Sequence, residues 1–141
     1  KGKGQYGRNW ISYKGNLFVS FFFNISKNNL SIKKLTRINC LLVKKSISNF
    51  CKKKVTFKFP NDLLINEKKI CGILQETIIN NNKKYLIVGI GINIVKSPKI
   101  KNYNTTNFIE ALEKKIDYKF VANLLRSTFE KNIFKYYKYK I

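Results

Sequence analysis

The feature that most constrains the fold is a stretch, residues 55–94, in which short apolar segments alternate with short polar turns. Residues 55–59 alternate apolar and polar side chains, which is typical of a strand with one buried face. The turn-forming residues 60–62 end that strand. Further strands are predicted at residues 63–65, 70–79 and 85–94, with hairpin turns at 66–68 and 80–82. Strands that follow one another this closely predict an antiparallel meander.

The segments on either side of the meander predict one more strand and several helices. Residues 17–25 are rich in aromatic and β-branched residues and predict a buried strand. Amphipathic spacing predicts a first helix, and the capping residues Asn107 and Asp117 predict the start of two others. The predicted helices span residues 32–50, 107–115 and 118–139. We therefore predict a single α+β domain.

The composition excludes several kinds of chemistry. The sequence contains no His, which rules out Ser-His-Asp and Cys-His nucleophile activation and the zinc motif H-E-x-x-H. It contains 3 Cys without a C-x-x-C motif, and an odd number argues against a disulfide framework and favours a reducing compartment. Any catalysis therefore depends on Lys, Arg, carboxylates and backbone groups.

The hydropathy of the sequence indicates where the protein is located, and its first residue indicates whether the sequence is complete. No apolar run approaches the ~18 residues of a membrane span, and no signal-peptide pattern is present. We predict a cytoplasmic protein without a membrane partner. Because the sequence begins at Lys1 inside a glycine-rich motif, we interpret it as a piece of a longer protein.

The formal charge of +22 suggests a nucleic-acid-binding protein, but the kind of cation argues against this reading. Arginine occurs at positions 8, 37 and 126, and every other basic residue is lysine. Lys, Asn, Ile, Tyr and Phe, the residues of AT-rich codons, are abundant throughout, which favours codon bias as the source of the charge. A basic nucleic-acid-binding module with interleaved aromatics, as at residues 136–139, remains an alternative.

The first candidate site is the glycine-rich segment at residues 2–7, which has the form G-x-G-x-x-G. A strand is predicted after it, and residues 19–32 contain no acid, so it does not fit a dinucleotide-binding fold. What remains is a loop whose N–H groups, with Lys3 and Arg8, are suited to wrap an anion. A flexible surface turn is the alternative.

The second candidate site lies around two lysines in the meander. Lys58 stands inside an apolar strand, so it either reaches out to solvent or faces a site. Asp62, beside Asn61, suits Mg²⁺ or a partner lysine, and an Asx turn is the alternative. Lys69 opens the next strand, in which Gly72 permits close approach of a ligand.

The third candidate site is the segment Gly89-Ile90-Gly91-Ile92-Asn93. Glycines inside an apolar strand cost stability, and they leave room for a flat group to pack over them. Asn93 is available to read a polar edge, and a β-bulge is the alternative for the glycines.

The order and spacing of these blocks resemble biotin protein ligase, the biotin-[acetyl-CoA-carboxylase] ligase family. Its catalytic domain carries a G-R-G-R-R-G-R-x-W loop, then K-W-P-N-D, K-x-x-G-I-L and G-x-G-I-N strands. The corresponding segments here are residues 2–10, 58–62, 69–74 and 89–93. The resemblance covers essentially the whole chain. It implies an α+β fold with a mixed, largely antiparallel sheet and flanking helices, like the class II synthetase core, so residues 1–141 are expected to belong to the catalytic domain.

The resemblance also implies the reaction and its partners. Biotin and MgATP would form biotinyl-5′-AMP, and a lysine of the biotin carboxyl carrier domain of acetyl-CoA carboxylase would then displace AMP. Neither step requires a protein nucleophile or a His. A lipoate or octanoate ligase of the same fold is the nearest alternative, although that family's R-R-x-x-G-G-G block and His-Asp pair are absent from the sequence.

The family motifs imply roles for individual residues. Lys69 would be the catalytic residue that contacts the carboxylate and the α-phosphate, and Asp62 would hold Mg²⁺. The implied biotin and adenylate contacts are Gly2, Lys3, Gly4, Gln5, Lys69 and Gly72. The implied ATP contacts are Arg8, Trp10, Lys58, Asn61 and Asn93.

The sequence departs from the family pattern in its loop and at its ends. Lys3 and Gln5 replace two arginines, and the lost cation at Gln5 predicts weaker retention of the adenylate. The upstream biotin-binding residues of the family, its C-terminal barrel and a winged helix are not in this sequence, so we expect no DNA binding from it. A homodimer is left open.

Overall fold

The computed structural model describes residues 2–137, apart from the side chains of residues 133, 134, 136 and 137. The strands are β1 (Gly2–Lys3), β2 (Asn9–Trp10), β3 (Leu17–Asn24), β4 (Val55–Lys58), β5 (Asp62–Ile65), β6 (Lys68–Asn80) and β7 (Lys83–Ile92). The helices are α1 (Ile32–Ser48), α2 (Phe108–Leu112) and α3 (Tyr118–Tyr137). The predicted end of the last helix, at residue 139, lies outside the described residues.

The strands form a five-stranded sheet in the order β3-β7-β6-β5-β4, with every neighbouring pair antiparallel. This confirms the predicted fold class and the meander from β4 to β7. A parallel contact occurs at the isolated bridge between Lys69 and Thr105. Strands β1 and β2 form a separate antiparallel pair.

Tight hairpins make β6 and β7 extend closer to their turns than predicted. Asn81 and Asn82 have φ of 48° and 57°, so the β6–β7 turn needs only these two residues. Asn66 and Glu67, with φ of 49° and 60°, form the corresponding turn between β5 and β6. Positive φ at both central positions suits the right-handed twist of paired strands.

The helix ends follow the capping residues. Asn107 Oδ1 accepts the N–H of Glu110 at 3.0 Å, and Asp117 Oδ1 accepts the N–H of Lys119 at 2.9 Å. Helix α2 stops at Leu112, before the predicted residue 115, because Glu113 adopts a left-handed φ of 55°. Both predicted caps are therefore confirmed, whereas α1, which ends at Ser48, and α2 are both shorter than predicted.

The core lies between one face of the sheet and helices α1 and α3. Alternate residues of β7 are buried there, and they pair with the inward residues of β3 and β6. The fully buried members include Leu35, Ile47, Leu86, Val88, Ile92 and Leu125. The opposite face is open to the N-terminal segment, and the candidate site lies on it. Within residues 2–137, we find no helix with the length and apolar character needed to cross a membrane.

The three cysteines are free and buried. Burial raises the pKa of the Cys40 thiol to about 12, and burial also raises the pKa of Cys71 well above its usual value. Both thiols therefore stay protonated and pack as small apolar groups. Cys71, which lies next to Gly72 in sequence, faces the core and not the site.

Candidate functional site

Strands β4, β5 and β6 bring the second group of candidate residues together. Lys58, the last residue of β4, pairs with Asp62, the first residue of β5, and Asp62 pairs with Gly72 of β6. The pairing of β5 with β6 shifts register between Leu63 and Leu64. By simple alternation Lys69 would share the core-facing side with Cys71, but this irregularity re-aims it to the open face.

Asp62 is the centre of the polar contacts. Its Oδ1 lies 2.8 Å from Lys69 Nζ, and its Oδ2 accepts a hydrogen bond from the Tyr103 hydroxyl at 2.6 Å. The side chains of Lys69 and Asp62 are 19% and 14% exposed, so this is a half-buried ion pair and less screened than a surface one. Of the two roles that the sequence left open for Asp62, the partner lysine is realised.

Aromatic rings surround the ammonium groups. Lys69 Nζ lies 5.1 Å from the Trp10 ring centroid and 5.5 Å from that of Tyr103. Lys58 Nζ lies 4.3 Å from the Tyr103 centroid, so Lys58, although exposed, faces the site. Such cation–π contacts stabilise a charge without neutralising it.

Tyr103 is the site residue that sequence reasoning missed. It lies in the connection between β7 and α2, outside every motif. Burial, with the hydrogen bond to Asp62, raises its pKa above the usual tyrosine range, so the hydroxyl remains a donor. An aromatic residue in a polar loop was the available signal, and it identifies no partner.

Trp10 forms a platform with the strand glycines. A Cβ on Gly72 would lie 2.4 Å from Trp10 Cζ3, and a Cβ on Gly91 would lie 2.7 Å from Trp10 Cε2. The register through Gly89 and Gly91 is continuous on both sides, so the β-bulge alternative is wrong. At Gly91 the flat group expected over the glycines is the indole of this chain, and the same indole fills the space at Gly72 in which a ligand was expected. The nearest neighbour of Gly89 is instead the Leu74 carbonyl oxygen. The buried Nε1 of Trp10 has no hydrogen-bond partner among the described residues.

The glycine-rich loop is closed by its own main chain. The Gly4 N–H donates to the Arg8 carbonyl at 2.7 Å, and Gly7 adopts a left-handed φ of 72°. Lys3 and Arg8 are exposed, whereas Gly2, Gly4 and Gln5 are half-buried. Gly2 lies against Trp10, since a Cβ on Gly2 would lie 3.0 Å from Trp10 Cβ. The loop thus lies at the edge of the platform with its cations towards solvent.

Asn61 and Asn93, both predicted to contact ATP, make hydrogen bonds within the protein. Asn61 Nδ2 donates to the Ile73 carbonyl at 2.8 Å, which ties the turn before β5 to β6. Asn93 is 1% exposed, and its Nδ2 donates to the Thr106 carbonyl at 3.1 Å. Asn93 Oδ1 is buried without a partner among the described residues. Since buried polar atoms are normally paired, this oxygen and Trp10 Nε1 are available to a ligand or to water.

The site contains few side chains that could bind a metal ion. No group of three or more His, Cys, Asp or Glu side chains that could hold a metal ion occurs in the part of the chain that the structure describes. Both Asp62 oxygens are already engaged. Mg²⁺ is often bound through one or two carboxylates plus substrate phosphates, so these residues fit an ion that arrives with a nucleotide and not a resident metal.

The fold and this site together define a class of protein. It is an antiparallel α+β domain that presents lysines, a glycine-rich loop and a carboxylate on the open face of its sheet. Residues 1–93 match the model of the biotin/lipoate A/B protein ligase family. The chain belongs to this family, which confirms the resemblance found in the sequence.

The relatives and solved structures that the chain resembles include several biotin enzymes of the family. It is 31% identical over 137 residues to the bifunctional ligase/repressor BirA of Bacillus subtilis, covering 92% of this chain and 42% of that protein. The biotin protein ligase from Aquifex aeolicus in complex with biotin and ATP superposes with a TM-score of 0.82 at 30% identity, covering 97% of this chain and 58% of that chain. The biotin protein ligase from Leishmania major in complex with biotinyl-5-AMP gives 0.74 at 26% identity, with coverage of 97% and 66%. The chain thus spans less than half of that curated relative's length.

Proposed function

We propose that this chain activates biotin with ATP and transfers it to a lysine of an acceptor protein. The observation that carries the proposal is the placement of Lys69, held by Asp62, next to the platform formed by Trp10 and Gly72. The solved relatives support it, because one holds biotin and ATP and another holds biotinyl-5-AMP.

In the first step, a carboxylate oxygen of biotin attacks the α-phosphorus of ATP. The bond from that phosphorus to the oxygen bridging to the β-phosphate breaks, and pyrophosphate leaves with the electron pair. Lys69 would contact both the carboxylate and the α-phosphate, which would hold the two anions together and offset the charge that develops between them. Arg8 and Lys58 would bind the outgoing phosphates.

In the second step, the neutral amine of the acceptor lysine attacks the carbonyl carbon of the adenylate. The bond from this carbon to the phosphate oxygen breaks, AMP leaves, and the amine loses its proton to solvent. Neither step uses an imidazole, which is consistent with a sequence that has no His. The proposed acceptor is the biotin carboxyl carrier domain of acetyl-CoA carboxylase, and the proposed location is the cytoplasm.

The remaining proposed contacts are those that the family motifs imply. Lys3, Gly4 and Gln5, with Gly2, would close over biotin and its adenylate, whereas Trp10, Asn61 and Asn93 would line the nucleotide side. Mg²⁺, when bound with ATP, would neutralise phosphate charge, and Asp62 would offer it a lone pair that neither Lys69 nor Tyr103 occupies. Residues 1–141 would form part of the catalytic domain.

Biotin-dependent exchange of labelled pyrophosphate into ATP tests the proposal in the full-length protein. We expect Lys69→Ala to reduce exchange at least about tenfold, because it removes charge stabilisation in the transition state. Lys68→Ala, at the exposed neighbouring position on β6, is the matched control and should exchange like the wild type.

The acid that supports exchange decides the substrate. Exchange with lipoate or octanoate in place of biotin would replace the proposed substrate and leave the adenylation chemistry standing. If no acid supports exchange in folded wild-type protein, or if Lys69→Ala exchanges as fast as wild type, the proposal is wrong.

A further inference from the structure

Tyr103 contacts every charged side chain of the cluster described above. Its hydroxyl donates to Asp62 Oδ2 at 2.6 Å. Its ring centroid lies 4.3 Å from Lys58 Nζ and 5.5 Å from Lys69 Nζ. One side chain therefore joins the carboxylate to both ammonium groups, although the motifs contain none of its neighbours in sequence.

The main chain fixes Tyr103 relative to Lys69. The N–H of Lys69 donates to the carbonyl of Asn104 at 2.9 Å, and the N–H of Thr106 donates to the carbonyl of Lys69 at 2.9 Å. These bonds attach the residues that follow Tyr103 to the start of β6, next to the lysine that the site requires. The position of the ring is thus set by backbone hydrogen bonds and not by its own side chain alone.

The beginning of the same connection is anchored separately. Asn16 Oδ1 accepts the N–H groups of Ile94, Val95 and Lys96 at 3.0, 3.0 and 3.2 Å. Asn16 Nδ2 donates to the Lys96 carbonyl at 2.7 Å. With both ends of the connection held, Tyr103 reaches Asp62 from a loop that is fixed at β7 and at β6.

The chemistry of these contacts is directional. A hydroxyl that donates to a carboxylate fixes one oxygen and leaves the other for a cation. Here Oδ2 of Asp62 is taken by Tyr103 and Oδ1 by Lys69. The ring face then attracts the two ammonium groups without competing for the phosphate that they would bind, because a π-face carries no full charge.

We propose that Tyr103 is a positioning residue that fixes Asp62, Lys58 and Lys69 in place before the nucleotide binds. This inference rests on the proposed function and adds to it a residue that the family motifs do not contain. Without the hydroxyl, Asp62 rotates more freely, and Lys69 follows it. Binding of ATP must then order these side chains at the expense of affinity.

The kinetic test uses variants that separate the hydroxyl from the ring. Tyr103→Phe removes the hydroxyl and keeps the ring, whereas Tyr103→Leu removes both. Tyr13→Phe is the matched control, because the Tyr13 ring is also approached by a lysine, with Lys96 Nζ at 4.8 Å, but at another place in the fold. The assay is biotin-dependent pyrophosphate exchange in the full-length protein, with KM for ATP and kcat determined separately and Tm measured alongside.

The expected result is a split between the two kinetic constants. Loss of a hydrogen bond to a charged group should raise KM for ATP by about tenfold in Tyr103→Phe, with kcat within about twofold of wild type. Tyr103→Leu should raise KM further, and Tyr13→Phe should behave as wild type. Wild-type constants in Tyr103→Phe, or a loss of exchange that tracks only a lowered Tm, would overturn the proposal.

A second measurement does not depend on activity. Acetic anhydride at neutral pH labels lysine amines in the folded protein, and mass spectrometry gives the rate at each position. Lys69 should label more slowly than Lys68. Tyr103→Phe should raise the ratio of the Lys69 rate to the Lys68 rate at least about threefold, because it loosens the ion pair of Lys69 with Asp62. If no acid supports pyrophosphate exchange in the wild type, the proposed function fails, and this ratio of labelling rates alone decides whether Tyr103 positions Lys69. An unchanged ratio in both Tyr103 variants contradicts it.

Discussion

Lys69 and the loop cations, Lys3 and Arg8, are two sources of positive charge near the site, and they are held in opposite ways. Lys69 is 19% exposed, 2.8 Å from a carboxylate and flanked by two aromatic rings. Lys3 and Arg8 are exposed on a short loop that is closed by a main-chain bond from Gly4 to Arg8. The first cation is held without a ligand, whereas in the proposed function the loop cations would be ordered by the ligand.

This difference suggests separate roles for Lys69 and for the loop cations in the proposed function. A preorganised cation stabilises charge without a cost of reorganisation, which suits the reacting carboxylate and α-phosphate. Loop cations that become ordered on binding contribute less affinity each, but they can close over an intermediate and delay its release. We therefore expect changes at the platform to have larger effects than changes in the loop.

The largest effect is expected at Gly72. In Gly72→Ala the new Cβ would lie 2.4 Å from Trp10, so the indole must move, at a cost of about 1–3 kcal/mol typical of overpacking. We expect pyrophosphate exchange to fall at least about tenfold and the emission of the single Trp to shift to the red.

Gly89→Ala is the matched control for this change. Its nearest neighbour would be the Leu74 carbonyl oxygen at 3.7 Å, an ordinary contact, so both readouts should stay at wild-type values. Wild-type exchange and emission in Gly72→Ala would show that the indole does not rest on that glycine.

A smaller effect is expected from Asp62→Asn, which keeps the shape of the side chain and removes its charge. The half-buried Lys69 ammonium loses its ion pair, so the free energy of unfolding in urea should fall by about 1–3 kcal/mol. Glu130→Gln breaks the exposed ion pair with Arg126, at 3.5 Å, and should change the free energy of unfolding by less than about 0.5 kcal/mol. Equal losses in the two variants would contradict the distinction between a held and an exposed cation.

The smallest effect is expected in the loop. Gln5→Arg restores a cation that the family motif carries, and a partly exposed ion pair contributes about 0.2–1 kcal/mol, so release of biotinyl-5′-AMP should slow by about 1.4- to fivefold. The off-rate of the adenylate, measured by chase with excess unlabelled biotin and ATP, checks this. Gln5→Glu reverses the added charge and should speed release, and equal off-rates in the three proteins would refute the idea.

Much of the fold could be predicted from residues that act locally. Alternating apolar residues specified the strands of the meander, and Asn107 and Asp117 specified where helices begin. The order of the motif blocks predicted the family, because glycines and lysines at fixed spacing are not required by packing alone. The predicted end of α2 was wrong, because nothing in the residue type of Glu113 indicates its left-handed conformation.

The sequence by itself determined the antiparallel meander, the absence of imidazole chemistry and the residues that match the family. Only the tertiary structure decided which of them touch. The irregular pairing beside Leu63 turns Lys69 to the open face, the indole of Trp10 occupies the space left by Gly72 and Gly91, and Tyr103 reaches Asp62 from a distant loop. The physical reason is that backbone periodicity and turn preference are properties of neighbouring residues. The direction of a side chain and its partner depend instead on register, strand order and the packing of segments far apart in the chain.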